Sequence, residues 1–198
     1  MAENLTKEER QSQIMEAAMK VFTQKGYANA RIDDIVNESG LSKGAIYHYY
    51  EGKKDVFIAL IEHWETQTFP DFYSRNGSNR SASNILRDFA KEILKVFKSR
   101  RYVFQAEVEF WSLANQDEQI KKRSQELYEK IINLFELVIN KGIREGEFHK
   151  VNPRMTAIYI LSIFQGINWF CIFDDKKLKA KDFISQSIEM IIKGIEKK

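Results

Sequence analysis

Apolar residues recur at helical spacing along most of the chain. In the first segment, from about Thr6 to Gln24, they fall at positions i, i+3, i+4, i+7 and i+8, which places them in one stripe. Thr6 followed by Glu9 fits a capping box at the start of this helix, and Gly26 suits a left-handed end. The stripe consists of Ile14, Ala17, Ala18, Val21 and Phe22.

Three shorter helices are predicted next, and longer ones follow a polar stretch at 74–83. Gly40 and Gly52 separate the short helices, and Ser42 can cap the middle one. The short helices are expected at about Ile32–Ser39, Lys43–Tyr50 and Lys53–Gln67, and the longer ones at about 84–98, 102–114, 117–144, 153–173 and 180–196.

Composition supports a mostly helical, soluble globular protein. Hydrophobic residues make up 43% and charged residues 30%, whereas there are two prolines and nine glycines. The single cysteine, Cys171, excludes a disulfide framework and a cysteine-based zinc cluster. The three histidines lack metal-ligand spacing, and no nucleophile elbow, phosphate loop or dinucleotide fingerprint occurs. We therefore expect no enzyme, no metal and no cofactor. The polar N-terminus is unlike a secretory signal, so we expect a cytoplasmic protein.

Net charge does not indicate nucleic-acid binding by the N-terminal part. The whole chain carries +3, but residues 1–67 hold 8 basic and 11 acidic residues, a net of −3, and the remainder holds +6. Any such function must therefore depend on a local arrangement of side chains.

The first fifty residues contain such an arrangement. Three short helices with a glycine-containing turn before the third describe a helix-turn-helix, whose third helix enters the DNA major groove. Lys43, Gly44, Tyr47 and His48 share one face of that helix, and Tyr50 can point to the core. The alternative is a small bundle whose third helix only packs. The pattern alone leaves both interpretations open.

A resemblance favours the first of these interpretations. The run IMEAAMKVFTQKGYANARIDDIVNESGLSKGAIYHYYEGKKDVFIAL, from Ile14 to Leu60, resembles the N-terminal domain of the tetracycline-repressor (TetR) family of transcriptional regulators. Family members often carry threonines before the second helix, where this chain has Ala30 and Arg31; Arg31 could itself contact phosphate. The resemblance implies DNA contacts by Ser42, Lys43, Gly44, Tyr47, His48, Tyr49 and Lys53.

The resemblance also implies the plan of the whole chain. We expect an all-α protein with a helix-turn-helix DNA-binding domain at 1–67, its motif at about 31–50. A larger helical domain at 68–198 would bind an effector and form the homodimer. We expect no membrane association, although the 19 charge-free residues at 155–173 make a membrane span the rival interpretation.

The second domain carries candidate ligand and dimer residues. An aromatic-rich cavity suits a small hydrophobic or amphipathic effector, with Glu107 as its polar contact, although aromatics at helical spacing are more often core. The ligand candidates are Phe104, Glu107, Trp111, Tyr128, Phe135, Phe164 and Trp169. The predicted dimer interface consists of Ser162, Gly166, Ile184, Ile188, Ile191 and Ile195.

The sequence thus predicts a ligand-responsive transcriptional regulator, a repressor that a small hydrophobic effector releases from palindromic double-stranded DNA. The alternative is a helical ligand-sensing or membrane-anchored protein that does not bind DNA. The sequence does not identify the effector, the operator sequence or the regulated genes, and it does not separate repression from activation.

Overall fold

The structure, a computed structural model, describes residues 6–68, 80–173 and 178–197, with the side chains of 66–68 left aside. No strand occurs among these residues, so the expected all-α class is confirmed. Residues 74–79 of the predicted polar loop lie outside the described part. The helices are α1 (Lys7–Asn29), α2 (Ile32–Ser39), α3 (Lys43–Tyr47), α4 (Lys53–Thr68), α5 (Ala82–Ser99), α6 (Tyr102–Ala114), α7 (Glu118–Arg144), α8 (Pro153–Gln165), α9 (Ile167–Ile172) and α10 (Ala180–Ile195).

Packing divides the chain into two compact units. Unit 1 contains the first 66 residues together with 105–124, and unit 2 contains 67–104 and 125–198. The predicted first domain, 1–67, therefore shares its unit with most of α6 and the first turns of α7. The division of the chain into functional domains at 67/68 stays a prediction.

Aromatic rings form the centre of unit 1. Phe57 on α4 meets Phe22, Tyr27 and Phe110 edge-on, at centroid distances of 5.2, 4.9 and 5.5 Å. Trp64 lies about two turns further along α4 and meets Phe110 at 6.1 Å. Edge-to-face contacts of this kind add to the burial of apolar area, so these rings fix α1 and α4 against α6.

Local signals explain most helix boundaries in unit 1. Thr6 and Glu9 form the predicted capping box, with bonds of 2.8 and 3.2 Å. Gly26 has φ +70° and interrupts α1, but the helix resumes and ends at Asn29 rather than at the expected Gln24. The third helix is instead shorter than predicted and ends at Tyr47. There the Ile46 carbonyl accepts hydrogen bonds from both Tyr49 N–H and Tyr50 N–H, each at 3.0 Å, so the regular helical pattern gives way to a turn.

Unit 2 is built around α10, which packs against α5 and α8. Arg87 on α5 forms a two-pronged ion pair with Glu189 on α10, at 2.6 and 3.0 Å. The Glu147 carboxylate accepts bonds from two free N–H groups at the start of α5, at 2.7 and 2.9 Å. Phe89, Phe135 and Phe164 form an aromatic cluster beside these helices.

The single helix predicted at 153–173 is divided at Gly166 into α8 and α9. Phe183 of α10 lies directly over this glycine, and a Cβ there would come within 2.8 Å of the Phe183 ring. Gly166 therefore allows α10 of the same subunit to pack closely against this helix. The sequence predicted that it would allow a helix of the partner subunit to do so.

Candidate nucleic-acid interface

Ser42 and Gly40 set the start of the third helix. Gly40 ends α2 in the left-handed conformation, with φ +69°. Two residues later the Ser42 hydroxyl accepts a hydrogen bond from Ala45 N–H at 3.1 Å, the cap that the sequence predicts. A helix of five residues has little stability of its own, so packing must hold its orientation.

Two apolar side chains supply that packing. Ile46 is fully buried and Tyr50 nearly so, as expected from the sequence. Burial of the Tyr50 ring raises the pKa of its hydroxyl. With these two residues inward, the rest of the helix faces outward. Lys43, Gly44, Tyr47 and His48 are all exposed.

Lys43 on this face forms an ion pair with a carboxylate that the sequence analysis did not consider. Its Nζ lies 2.7 Å from Oδ1 of Asp33 on α2, and both side chains are more than half exposed. The hydrogen bond to Asp33 raises the pKa of Lys43. Solvent screens an exposed pair of this kind and it contributes little to stability, so phosphate can displace Asp33 at little cost.

Gly44 has open space where a side chain would stand. The nearest atom to an ideal Cβ is the Ser42 hydroxyl oxygen at 4.0 Å, and its backbone is not in the positive-φ region. The fold itself therefore does not require glycine here. Because glycine has no side chain, a phosphate can come close to the backbone at the exposed start of α3.

The remaining predicted DNA contacts occupy different environments. Arg31 is exposed just before α2, where its backbone N–H donates to the Asp34 carboxylate at 2.9 Å. Tyr49 is half-buried, with its ring 4.9 Å from that of His48. The Lys53 ammonium donates to the Tyr27 and Ala28 carbonyls at 2.7 and 3.3 Å, which ties α4 to the end of α1. Their contacts with DNA stay predictions.

The Lys43–Asp33 pair allows a matched test of this face. Lys43→Ala should weaken binding to an operator selected from a random DNA pool about tenfold and lower the salt slope by about one. Asp33→Asn should tighten binding, because it frees the ammonium for phosphate. Fluorescence anisotropy across a salt series measures both. Unchanged affinity and slope in folded Lys43→Ala would remove Lys43 from the interface.

The ligand candidates are partly buried and partly exposed. Phe104, Glu107, Phe135 and Phe164 are buried, Tyr128 is half-buried, Trp111 is 37% exposed and Trp169 is 66% exposed. Phe135 and Phe164 belong to the aromatic cluster of unit 2, so packing alone explains their burial. Trp169 instead stacks on the exposed Phe173 at 4.9 Å. A role in ligand binding stays a prediction for all seven.

The predicted dimer residues also separate into two groups. Ile184, Ile188 and Ile195 lie in the core of their own subunit, together with Ile192. Ser162 is exposed, Ile191 and Gly166 are half-buried, and Gly166 packs against Phe183. The isoleucine stripe therefore faces α5 and α8 of its own subunit. Further apolar surface on α10 extends from the edge of this stripe, at Ile191 and Ile195, to Met190.

That surface is a groove between α8 and α10, and its lining includes Ile191 and Ile195 from the predicted dimer interface. It has a volume of about 450 Å³, and Met155, Tyr159 and Met190 on its walls are 46%, 58% and 68% exposed. Met190 lies about 160° around the helix from Ile188, on the face expected to be polar. An apolar residue opposite the buried stripe was the sequence signal for a second contact surface.

The described residues contain no group of three or more histidine, cysteine or acidic side chains arranged to hold a metal. Pro153–Ile172 has the length and apolar composition of a membrane span, but half of that stretch is buried within the structure. A core helix of a globular protein has the same properties.

The fold and the exposed face of α3 define a class, the helix-turn-helix regulators of transcription. Residues 14–60 match the family described as "Bacterial regulatory proteins, tetR family", and residues 72–197 match "QacR-like protein, C-terminal region". The second match covers more than half of the chain. The chain therefore belongs to the TetR family, and it is a transcriptional regulator rather than an enzyme.

Relatives extend over nearly the whole chain. The HTH-type transcriptional regulator YfiR of Bacillus subtilis (strain 168) is 24% identical over 191 residues, covering 96% of this chain and 93% of YfiR. FadR from Bacillus subtilis, solved in complex with stearoyl-CoA, has a TM-score of 0.78 at 19% identity and covers 93% of this chain and 98% of FadR. A regulator from Saccharomonospora viridis, solved with choline, has a TM-score of 0.81 at 19% identity, covering 97% and 100%. At these identities the two solved structures support the fold.

Proposed function

We propose that this regulator is a cytoplasmic repressor that binds a palindromic operator as a homodimer and is released by a small hydrophobic or amphipathic effector. The observation that carries the proposal is the exposed face of α3, with Lys43, Gly44, Tyr47 and His48 outward and Ile46 holding the helix from behind. In a helix-turn-helix dimer, two such faces lie about 34 Å apart, one turn of B-DNA, and contact a symmetric site.

The groove between α8 and α10 supports the homodimer. Met155, Tyr159 and Met190 are large and apolar, and a monomer would leave them in water. A second copy presents the same groove, so two-fold symmetry lets the two surfaces cover each other. The dimer would then have about twice the 23.3 kDa mass of the chain.

A charge placed in this groove should disrupt the dimer. Met190→Glu should raise the dimer dissociation constant about tenfold or more, because the interface would have to bury an unpaired carboxylate. Gln125→Glu adds the same charge at an exposed position of α7, outside the groove, and should leave the constant unchanged. Sedimentation equilibrium measures both. A wild-type protein that is monomeric at micromolar concentration would contradict the homodimer.

Contacts inside unit 1 support coupling between an effector and the DNA-binding face. Lys54 at the start of α4 lies 2.6 Å from Asp117, and this ion pair lowers the pKa of the Asp117 carboxyl. Glu109 of α6 accepts a bond from Tyr27 N–H at 3.2 Å. Segment 105–124, which contains the ligand candidates Glu107 and Trp111, is thus bonded to helices of the helix-turn-helix. A shift of α6 would move α1 and α4, and with them the packing of α3.

The effector class follows from the relatives. Glu107, the predicted polar contact, is only 3% exposed and lies on the segment that is bonded to the helix-turn-helix helices. One relative was solved with stearoyl-CoA, which has a long acyl chain, and another with choline, a cation. Stearoyl-CoA joins a long apolar chain to a charged head, whereas choline is a small organic cation. We therefore propose that this protein binds an amphipathic effector, with Glu107 as a polar contact.

Selection of DNA from a random pool by the purified protein, followed by titration, tests the function. The selected sites should be palindromic, and stearoyl-CoA and choline are the first probes for release. An effector should weaken operator binding, and operator should weaken effector binding by the same factor. Trp111 fluorescence reports the second measurement, with Trp64 and Trp169 as background.

The outcomes separate the candidate functions. Failure to enrich any sequence, with the protein folded, would leave the alternative, a helical ligand-sensing or membrane-anchored protein. Co-sedimentation with lipid vesicles would identify the membrane-anchored form. A selected operator that no amphipathic probe releases would overturn only the effector class.

A further inference from the structure

A second groove in unit 2 is lined by lysines. It has a volume of about 440 Å³ and lies between α5 and the start of α10. Three of its lysines are spaced by four and three residues on α5, so they share one face of that helix. The fourth comes from α10. The lining consists of Lys91, Leu94, Lys95, Lys98, Ser99 and Lys181.

Neighbouring carboxylates neutralise only part of this charge. Asp88 lies 3.2 Å from Lys91 but is also held by Arg80 at 2.6 Å, and Glu92 lies 3.9 Å from Lys95. On α10, Glu189 is engaged by Arg87, and Asp182 is an exposed neighbour of Lys181. Within the described part of the chain, no ion pair involves Lys98 or Lys181. The groove therefore carries a net positive charge that an anion would complement.

The groove also has an apolar lining residue. Leu94 is half-buried between the lysines, and the methylene stems of lysine side chains add apolar surface around a charged rim. The Ser99 hydroxyl donates to the Lys95 carbonyl at 3.0 Å, so its proton is already used. A ligand in the groove would thus contact both ammonium groups and apolar surface.

We infer that this groove binds a small soluble molecule that carries phosphate groups and a short apolar or flat moiety. The phosphates would contact Lys98 and Lys181 from opposite sides, and the apolar part would lie on Leu94. A DNA duplex needs cations distributed along an extended surface, whereas these four converge on one small volume. A membrane surface needs several exposed apolar side chains to insert, and this lining offers one half-buried leucine.

Occupancy would link two helices that already pack against each other. Lys98 lies in the last turn of α5 and Lys181 in the first turn of α10, and both line the groove. An anion between them would remove the repulsion of like charges and add bonds to both helices. Binding should therefore stabilise unit 2. This inference does not depend on the operator or on the amphipathic effector.

Adenosine 3′,5′-bisphosphate and pyrophosphate are suitable probes, tested against the full-length protein by calorimetry and thermal shift at constant ionic strength. The bisphosphate should bind, raise the melting temperature and bind more tightly than pyrophosphate because of its base. In the double variant Lys98→Gln/Lys181→Gln its affinity should fall about tenfold or more, since each lost charge-assisted bond weakens binding several-fold.

Lys150→Gln is the matched control, because Lys150 is an exposed lysine of unit 2 outside the groove. It should leave the affinity unchanged. An equal loss in both variants would show non-specific attraction to a basic protein and overturn the site. Lack of bisphosphate binding to the wild-type protein would overturn it as well. Tight binding of phosphatidylglycerol vesicles or operator-free DNA, lost in the double variant, would replace the small ligand by a macromolecular partner.

Discussion

The variant Gly44→Glu should fold like the wild-type protein and lose about 100-fold or more of its operator affinity. A side chain at position 44 has open space, with the Ser42 hydroxyl oxygen 4.0 Å from its Cβ as the nearest atom. A carboxylate in the first turn of a helix also interacts favourably with the helix dipole. On DNA the same carboxylate would face phosphates, and juxtaposed like charges cost several kcal/mol.

Two further variants separate charge from shape. Gly44→Ala adds only a methyl group and should weaken operator binding less than Gly44→Glu. It should also stabilise the protein by about 0.5–1 kcal/mol, since alanine is the better helix former. Gln119→Glu places a carboxylate in the first turn of α7, also exposed and in unit 1, and should bind operator normally. Operator affinity retained in folded Gly44→Glu would mean that the start of α3 does not face DNA.

The variant Phe57→Ala should lower the free energy of unfolding of unit 1 by about 3–5 kcal/mol. Phe57 is fully buried and meets three other rings, so its removal leaves a cavity among them. The loss is a large part of the stability of a typical domain. Operator binding should fall with it, because the same cluster holds α1 and α4.

Urea unfolding followed by tryptophan fluorescence measures this effect. Trp64 is only 2% exposed and meets Phe110 in the same cluster, so it reports on unit 1. Gln24→Ala, at an exposed position of α1 in the same unit, is the control and should change stability by less than about 0.5 kcal/mol. Equal effects of the two substitutions would show that the aromatic cluster does not hold unit 1 together.

Local signals made the DNA-binding face predictable. Ser42 caps α3, Ile46 and Tyr50 turn inward, and Lys43, Gly44, Tyr47 and His48 remain outside, all as their spacing along a short helix requires. These features depend on neighbours within a few residues. The Lys43–Asp33 pair depends on how α2 and α3 cross, so spacing along one helix could not reveal it.

Packing between distant helices was less predictable. The stripe containing Ile184, Ile188 and Ile195 indicated a buried face, but periodicity does not say which surface buries it. Only the structure shows that most of the stripe belongs to the subunit core and that Met190 lies with Ile191 and Ile195 along a groove beside it. Gly166 is a similar case, because a small residue permits close approach by any helix, and Phe183 takes that place.

The exposed face of α3 also has an evolutionary consequence. Its outward side chains take no part in the core, so codons 43, 44, 47 and 48 can change with little effect on stability. Ile46 and Tyr50 meanwhile keep the helix in place. After a gene duplication, one copy could acquire a new operator through a few mutations and still express as a stable protein. The residues on the outward face of α3 can then change faster in evolution than the residues that hold the helix in place.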